Sequence, residues 1–280
     1  MRTVAYNDVV EAVAKMAIEA CYQLPEDVTQ ALQKAAGAEE SPVGKRVIAE
    51  ILDNRDIAAK GELPLCQDTG VAVFFVKMGD EVRVDGGLLT DAINDGVRKG
   101  YADGLLRKSM VKDPLRRENT KDNTPAIIHI EQTPGDELHI GLAPKGGGSE
   151  NMSICRILPP SAGVEGVKKF VIDWIDQAGG NPCPPIIVGV GIGGNFEKCA
   201  YLAKKAVFRP INEANPDPYY ANLEAELLEE INALGVGPMG LGGTQTALMV
   251  HIETHPCHIA SLPVAVNIQC HSARHAEVSL

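Results

Sequence analysis

The stretch Leu65-Cys66-Gln67-Asp68-Thr69-Gly70-Val71-Ala72-Val73-Phe74-Phe75-Val76 is where the chain changes from helical to strand-forming sequence. Before it, residues 6–21 carry apolar side chains at helical spacing, residues 25–36 follow a Pro-Glu-Asp start, and residues 42–53 form a third predicted helix. Within it, a polar segment ends in glycine and is followed by β-branched and aromatic residues. The stretch therefore predicts a loop that leads from an N-terminal helical part into a strand.

The rest of the chain mixes both kinds of element. Helices are predicted at residues 88–102, 164–178, 195–207 and 217–233, and strands at residues 71–76, 185–191, 246–254 and 260–268. Residues 126–131 and 137–142 resemble a hairpin around residues 133–136. This order predicts an α+β fold, in which N-terminal helices are followed by mixed β segments with packed helices. We expect a single domain over residues 1–280 that could divide into two lobes.

Composition narrows the class of protein. The 280 residues carry a formal net charge of -11, 45% hydrophobic residues and 4% aromatic residues. Such a charge argues against nucleic acid as a partner, because phosphate binding depends on clustered Lys and Arg. No stretch approaches the roughly 20 apolar residues of a membrane span, and the N-terminus lacks signal-peptide features. We therefore expect a cytoplasmic protein with no membrane contact.

Two loops have ligand-binding character, although each also has a simpler explanation. Residues 107–121 are locally basic, so they could receive a small anion or form an ordinary solvated loop. Residues 145–151 include three consecutive glycines whose backbone amides could approach a carboxylate or phosphate closely. The same glycines could equally serve as a flexible connector.

The cysteines are the most informative side chains. Seven cysteines in a chain without a secretory signal predict reduced thiols or metal ligands rather than disulfides. Cys66, Cys183 and Cys270 lie in predicted loops, whereas Cys21 and Cys199 lie in predicted helices and are expected to be small core residues. The roles of the remaining two, Cys155 and Cys257, stay open. Three thiolates can hold a cubane iron-sulfur cluster and leave one iron free for water or substrate.

A zinc-binding interaction protein is an alternative, because residues 251–275 contain five of the seven histidines together with two cysteines. The ligand spacing argues against it, since Cys257-His258 and Cys270-His271 are adjacent pairs and structural zinc ligands usually lie two to four residues apart. An NAD-dependent oxidoreductase is a second alternative, because residues 189–194 satisfy G-x-G-x-x-G before a predicted helix. No strand ending in Asp or Glu follows about 20 residues later. Tight packing of a strand on a helix is the simpler explanation of these glycines.

The motifs together resemble a known family. The chain is similar to the class I, iron-sulfur-dependent fumarate hydratases and L-tartrate dehydratases, in particular to the alpha subunit of their two-subunit forms. The resemblance covers nearly the whole chain. It is carried by Cys66-Gln67-Asp68-Thr69-Gly70, by Ala143-Pro144-Lys145-Gly146-Gly147-Gly148-Ser149, by Cys183-Pro184-Pro185, and by His258 ahead of a Cys270-His271-Ser272-Ala273-Arg274 ending.

The resemblance implies a [4Fe-4S] cluster on Cys66, Cys183 and Cys270. It also implies that the substrate is contacted by Gln67, Asp68, Arg107, Gly147 and His258, with Asp68 part of the catalytic base system. Arg107 could pair with a carboxylate and the Gly147 amide could donate a hydrogen bond, which are suitable roles for these groups. Asp68 could instead only cap its own loop, and Lys145 is left outside the set because it could merely solubilise the glycine loop.

The implied reaction is the reversible hydration of fumarate to L-malate, with L-tartrate dehydration as the alternative. Single-chain members of the family continue beyond the position that corresponds to Leu280 into a second domain. We therefore expect a separate beta subunit to complete the active site, a small dicarboxylate substrate, and assembly of αβ units into a higher oligomer. Activity is expected only with the beta subunit present.

Overall fold

The computed structural model describes residues 1–280. The strands are β1 (Arg2–Ala5), β2 (Val71–Gly79), β3 (Val82–Asp85), β4 (Ile127–Thr133), β5 (Leu138–Lys145), β6 (Ile154–Leu158), β7 (Ile186–Gly193), β8 (Ala247–His255), β9 (Leu262–Gln269) and β10 (Ala276–Ser279). The helices are α1 (Tyr6–Tyr22), α2 (Glu26–Ala38), α3 (Pro42–Ala59), α4 (Leu89–Asp103), α5 (Gly147–Glu150), α6 (Gly163–Ala178), α7 (Phe196–Ala206) and α8 (Pro218–Ala233). Mixed sheets with packed helices confirm the predicted α+β class.

The chain forms two compact units. Unit 1 consists of Met1–Pro25, Arg55–Gly147 and Arg274–Leu280, and unit 2 consists of Glu26–Asn54 and Gly148–Ala273. Each unit has its own four-stranded sheet and its own apolar core. None of the helices has the length and apolar character needed to cross a membrane.

Unit 1 is built on the sheet β10-β5-β2-β4 and on a parallel pair of β1 and β3. Helix α1 packs on α4, because its buried positions Val9, Val13, Met16 and Ala17 repeat at three- and four-residue spacing and form one apolar face. Strand β2 is central and supplies the fully buried Phe74 to this core. The unit therefore fixes the start of β2, which is where the Cys66 loop ends.

The predicted hairpin of residues 126–131 and 137–142 is wrong. Strands β4 and β5 both form, but β2 lies between them, parallel to β4 and antiparallel to β5. The physical reason is that β2 is the more apolar strand and is mostly buried, so a central position protects its side chains and satisfies both of its hydrogen-bonding edges. The half-exposed β4 is left at the sheet edge.

Unit 2 is built on the sheet β6-β9-β7-β8, in which β7 runs parallel to β8 and antiparallel to β9. Val188 and Val190 on one face of β7 share a core with residues of α6 and α8, such as Val171 and Leu227. Successive side chains of a strand point to opposite faces, so Gly189 and Gly191 face the other side, where α7 packs. Unit 2 is thus a sheet covered by helices on both faces.

The glycines of the G-x-G-x-x-G segment serve this packing. A Cβ atom at Gly189 would lie 2.2 Å from the backbone oxygen of Ala203, and one at Gly191 would lie 2.0 Å from that of Cys199. Both distances are far below van der Waals contact, so only glycine lets α7 approach β7 this closely. The first turn of α7 is capped by Asn195, whose side-chain oxygen accepts a 2.9 Å hydrogen bond from the Lys198 N–H. Tight strand-to-helix packing accounts for these glycines without a nucleotide.

Candidate active site

The Cys66 loop of residues 65–70 is fixed at several points within unit 1. The Leu65 N–H donates to the Cys21 carbonyl at 2.8 Å. The buried Tyr101 hydroxyl donates to the Thr69 carbonyl at 3.0 Å, and burial raises the pKa of Tyr101, so this donor stays protonated. Gly70 has φ +78° and lies so close to the backbone of Lys145 that a Cβ would be 2.8 Å from it. The loop is therefore held in one shape while Cys66 stays exposed at its surface.

Asp68 links this loop to the start of α5. One carboxylate oxygen, Oδ1, accepts a 2.9 Å hydrogen bond from the Gly70 N–H, and Oδ2 accepts a 2.7 Å bond from the Gly147 N–H. Asp68 therefore caps its own loop through Gly70, and it also forms a second bond outside the loop, to Gly147. The Gly147 amide, which the resemblance assigns to substrate, is bonded to Asp68 in the structure. Two backbone donors fix the direction of the carboxylate, and each oxygen keeps a further lone pair.

Gln67 and Arg107 lie at the exposed side of the same loop. The Thr69 hydroxyl donates to the Arg107 backbone carbonyl at 3.0 Å, which holds Arg107 beside the Cys66 loop. Asn123, fully buried, donates from Nδ2 to the Gly70 carbonyl at 3.1 Å and accepts from the Ser109 N–H at 2.7 Å. The basic segment that begins at Arg107 is thereby anchored to the loop. Cys66, Gln67, Asp68, Arg107 and Gly147 are brought together in unit 1.

Arg274 and Lys145 are two buried cations at this site that the sequence analysis did not assign. Each is 2% exposed. Arg274 Nη1 donates a 3.0 Å hydrogen bond to the Asp68 backbone carbonyl, and its Nε has no hydrogen-bond partner. A Cβ built on Gly146 would lie 3.8 Å from Arg274 Nη2 and 3.5 Å from Asp68 Oδ2. A buried guanidinium is costly to desolvate unless it is paired and hydrogen-bonded, and Arg274 bonds the Cys66 loop directly, so we include it in the candidate site.

The signal for both cations was present in the sequence. Arg274 ends the Cys270-His271-Ser272-Ala273-Arg274 motif, and Lys145 directly precedes the glycines of residues 146–148. Sequence alone does not tell a buried cation from a solvated one. Their burial depends on the strands that surround them, which no local pattern shows.

In unit 2, the structure brings Cys183 and Cys270 together. Cys183 precedes β7 and Cys270 follows β9, and these strands are antiparallel neighbours with Ile187 opposite Gln269. The loops also bond to each other, because the His271 N–H and Nδ1 lie 3.3 Å and 3.0 Å from the Cys183 carbonyl oxygen. Neither cysteine forms a disulfide, and both are partly exposed. Cys183 has φ +59°, a strained conformation for a non-glycine residue that is often found at functional sites.

His258 lies elsewhere in unit 2. It follows β8 and precedes β9, and its Nδ1 accepts a 3.1 Å hydrogen bond from the Ala260 N–H. The whole length of β9 separates it from Cys270, which is roughly 26 Å for eight residues at about 3.3 Å each. His258 instead lines an apolar cavity of about 370 Å³ with Tyr219 and Leu223. Within one chain, the structure does not bring His258 to the loops of Cys183 and Cys270.

Two other histidines of residues 251–275, His251 and His255, lie at different positions along β8. His251 is fully buried, its Nδ1 lies 3.1 Å from the Ala206 carbonyl, and burial lowers its pKa to about 4. Glu253, two residues further along β8, pairs with Arg209 at 3.2 Å. His255 is exposed at the strand end. No group of three or more His, Cys, Asp or Glu side chains in the structure is arranged to hold a metal ion.

A sequence model of the family described as Fumarate hydratase (Fumerase) matches residues 10–279. This chain belongs to the fumarate hydratase family. The sequence-based assignment is therefore confirmed, and with it the prediction of a hydro-lyase. The NAD-dependent alternative loses its basis, because the glycines that suggested it are explained by the packing of α7 on β7.

Curated relatives match this chain along nearly its whole length. A protein of Methanocaldococcus jannaschii named "Putative L(+)-tartrate dehydratase subunit alpha" is 46% identical over 272 residues, covering 95% of each chain. The L(+)-tartrate dehydratase subunit alpha of Escherichia coli UTI89 is 36% identical over 273 residues, covering 96% of this chain and 90% of its own. The protein of the same name from E. coli K12 is 35% identical over the same lengths.

Proposed function

We propose that this chain is the alpha subunit of a hydro-lyase that removes water from L(+)-tartrate. The observation that supports this substrate is that relatives named as L(+)-tartrate dehydratase alpha subunits match the chain at 46% and 36% identity over at least 90% of their length. Hydration of fumarate to L-malate, which the sequence analysis placed first, becomes the second candidate and is supported by the family description. Both reactions concern a dicarboxylate with a hydroxyl group beside a carboxylate.

We propose Cys66, Cys183 and Cys270 as the ligands of a [4Fe-4S] cluster. The donor chemistry fits, because all three are cysteines in loops that form no disulfide and are at least partly exposed, and Cys183 and Cys270 are neighbours through His271. A cluster held by three thiolates supplies one iron with an open position, which can act as a Lewis acid on the leaving hydroxyl group. Cys21 and Cys199 do not suit this role, since both are completely buried.

The chain's own residues would bind and orient the dicarboxylate. The exposed guanidinium of Arg107 can pair with a substrate carboxylate through two parallel hydrogen bonds. Gln67 can donate or accept a hydrogen bond without adding charge. The carboxylate of Asp68, whose direction is fixed by the N–H groups of Gly70 and Gly147, would take part in removing the carbon-bound proton. The buried charge of Arg274 behind the Asp68 backbone favours a negative charge in this loop.

For Gly147 and His258, a substrate contact stays a prediction. The Gly147 amide already donates to Asp68, so a direct bond to substrate would require it to change partner or to share its hydrogen. His258 lies at the other end of β9 from Cys270, so it could reach a substrate at Cys270 only from a second copy of the chain. Of the predicted set, these two positions have the least geometric support.

We further propose a beta subunit as the partner that completes the active site, since the relatives are named as alpha subunits. Assembly of αβ units into a higher oligomer and a cytoplasmic location belong to the same proposal. The net charge of -11 argues against a nucleic-acid partner.

The cluster is tested by measuring iron, acid-labile sulfide and zinc after anaerobic purification and reconstitution. We expect about four iron and four sulfide per chain, lost in Cys66→Ser, Cys183→Ser and Cys270→Ser. Cys257→Ser is the matched control, because Cys257 is an exposed cysteine outside the proposed set. Zinc without sulfide, or a Cys257→Ser variant that behaves like the other three, would contradict the assignment.

The substrate is tested on the chain copurified with its beta subunit. We expect kcat/KM for L(+)-tartrate to exceed that for fumarate and L-malate by about tenfold or more, because a site built around a second hydroxyl discriminates against analogues that lack it. The opposite order would support fumarate hydration instead. Turnover by the alpha chain alone, at the rate of the complex, would refute the need for a beta subunit.

A further inference from the structure

Cys155 and Cys199 form a close thiol pair in unit 2 that the proposed reaction does not use. Cys155 lies on β6 and Cys199 on α7, and their Sγ atoms are 3.4 Å apart. Both sulfurs also contact the Phe196 backbone carbonyl, Cys155 at 3.5 Å and Cys199 at 3.4 Å. Two thiols in van der Waals contact that share one acceptor are aligned towards each other.

Small residues across the sheet create this contact. Cys155 pairs with Ala265 of β9, and Ala265 pairs in turn with Gly191 of β7. Because Gly191 has no side chain, the Cys199 backbone sits directly on β7 at a distance that a Cβ would not allow. The row of Cys155, Ala265 and Gly191 therefore leaves room for the two sulfurs above the sheet. Their proximity follows from strand register and not from a mobile loop.

The two thiols differ in their access to solvent. Cys199 is completely buried, and burial, together with its contact to Cys155, raises its pKa to about 12, so it stays protonated at neutral pH. Cys155 is partly exposed on an edge strand of the sheet. A small oxidant can therefore reach Cys155 first, whereas Cys199 is sheltered and placed to react only with its neighbour.

We propose that Cys155 and Cys199 are a peroxide-sensitive dithiol that closes to a disulfide. The Cys155 thiolate attacks one oxygen of a hydroperoxide, the O–O bond breaks, and Cys155 becomes a sulfenic acid while the other oxygen leaves as water or alcohol. The Cys199 sulfur then attacks Cys155 Sγ, the S–S bond forms, and the sulfenic hydroxyl leaves as water with the thiol proton. Two thiols thus supply the two electrons that reduce one peroxide. The sulfurs need only close from 3.4 Å to a bond of about 2.05 Å.

The disulfide would join an edge strand to a helix that packs on the central strand β7. Neither cysteine is a proposed cluster ligand, so this modification stands or falls independently of the hydro-lyase assignment. The compartment can remain reducing, because such a pair is oxidised transiently and is returned to two thiols by exchange with a reduced thiol. Cys66, Cys183 and Cys270 on the one hand and the Cys155–Cys199 pair on the other would thus have distinct roles.

The test uses the full-length chain, treated with stepwise hydrogen peroxide under anaerobic conditions, alkylated under denaturing conditions and digested with trypsin. Cleavage after Lys145, Arg156, Lys198 and Lys204 gives peptides 146–156 and 199–204, each with a single cysteine. We expect the linked pair, lighter by two hydrogens than the sum of its parts, to increase at least tenfold over the untreated sample. It should appear at a lower peroxide dose than oxidation of the exposed Cys257.

Two variants separate the steps. In Cys199→Ser, Cys155 should stop at the sulfenic acid and be trapped by dimedone, whereas in Cys155→Ser, Cys199 should remain reduced and react with the alkylating agent only after denaturation. Far-ultraviolet circular dichroism and a thermal melt check that both variants fold. The proposal is overturned if the 155–199 link stays absent while Cys257 oxidises, or if Cys155 links instead to Cys66, Cys183 or Cys270. The latter outcome would show that cluster loss, and not the thiol pair, directs the oxidation.

Discussion

Asp68 and Gly147 are joined by a 2.7 Å hydrogen bond from the Gly147 N–H to Asp68 Oδ2. The bond connects the Cys66 loop to the end of β5, where Lys145 is buried and Gly146 lies against Arg274. A carboxylate that accepts two backbone N–H bonds has a fixed direction, and direction is what a group acting on a substrate proton needs. The bond therefore has a structural role, and the catalytic role that we propose for Asp68 can be tested separately by substitution.

Asp68→Asn keeps the shape of the side chain but replaces one accepting oxygen by an NH₂ group, which faces the N–H of Gly70 or of Gly147. We expect turnover of the complex with its beta subunit to fall by about 10²- to 10⁴-fold, as for loss of a general base. Iron and sulfide content should stay near that of the parent chain, because the three cysteines are unchanged. Steady-state kinetics and metal analysis of the same sample provide both values.

Asp113→Asn is the matched control for this substitution. Asp113 is a partly exposed carboxylate of unit 1 whose Oδ1 accepts hydrogen bonds from the Leu115 and Arg116 N–H groups. Its capping bonds come from residues 115 and 116 and not from the cysteine loop or Gly147, so the turnover of Asp113→Asn should stay close to that of the parent. An Asp68→Asn enzyme that is as active as Asp113→Asn would show that Asp68 serves only to shape its loop.

Arg274→Met removes a buried charge while keeping a long side chain. The lost hydrogen bond to the Asp68 carbonyl destabilises by about 1.5–3 kcal/mol, but removal of a buried guanidinium offsets this by a similar amount. We therefore expect a melting temperature close to that of the parent chain. Turnover should fall by about a hundredfold, because a positive charge that stabilises negative charge at the site is lost. Thermal melts and initial rates on one preparation test the combination.

Arg83→Met serves as the control for loss of a positive charge in the same unit, because Arg83 is an exposed residue that pairs with Asp85. It should change neither quantity appreciably. A large drop in melting temperature for Arg274→Met with unchanged turnover per folded enzyme would reverse the interpretation and make Arg274 a purely structural residue.

Gly191→Ala tests the packing explanation of the G-x-G-x-x-G segment. The added Cβ would lie 2.0 Å from the Cys199 carbonyl oxygen, so α7 must move away from β7. Overpacking of this kind destabilises by about 1–3 kcal/mol or more, which urea unfolding would show as a lower midpoint. Gly37→Ala is the control, since Gly37 lies in α2 with open space around it and should stabilise by up to about 1 kcal/mol. Equal midpoints for the two variants would refute the packing explanation.

The sequence was sufficient for those features that depend on local pattern. Helix α1 and strand β7 were predictable because periodicity and turn residues lie within a few positions of the element itself. The hairpin of β4 and β5 failed because the strand between them, β2, is distant in sequence, and a turn signal does not show an inserted partner. The thiols of Cys183 and Cys270 were identified as loop cysteines, but their adjacency depends on the pairing of β7 with β9.

The candidate site shows the same division. The Cys66 loop was recognisable by its unusual composition, whereas the burial of Arg274 behind Asp68 depends on packing that no motif encodes. The reverse holds for His258, which a motif ties to Cys270 although the intervening residues form a full strand that separates them. Spacing along a sequence predicts proximity only when the conformation of the intervening residues is also known.

We expect His251 to make the stability of unit 2 sensitive to acid. Burial first, and then the positive charge of Arg209, lower its pKa from 6.5 to about 4, so it is neutral in the folded chain, with Nδ1 donating to the Ala206 carbonyl. The unfolded chain binds a proton on this histidine below its ordinary pKa, whereas the folded chain does not. Stability contributed by the neutral imidazole is therefore complete near pH 7 and is lost as the pH falls from about 6.5 to 4.

His251→Asn isolates this contribution, because the asparagine amide can still donate to the Ala206 carbonyl but does not titrate. Between pH 7 and pH 4 the parent chain should lose about 3 kcal/mol more unfolding free energy than the variant, which corresponds to a pKa difference of about 2.5 units at 1.36 kcal/mol each. Urea unfolding at several pH values measures the difference directly, whatever the variant loses at neutral pH. Parallel pH profiles for the two chains would show that His251 is protonated as readily in the folded chain as in the unfolded one, and would locate the acid sensitivity in other groups.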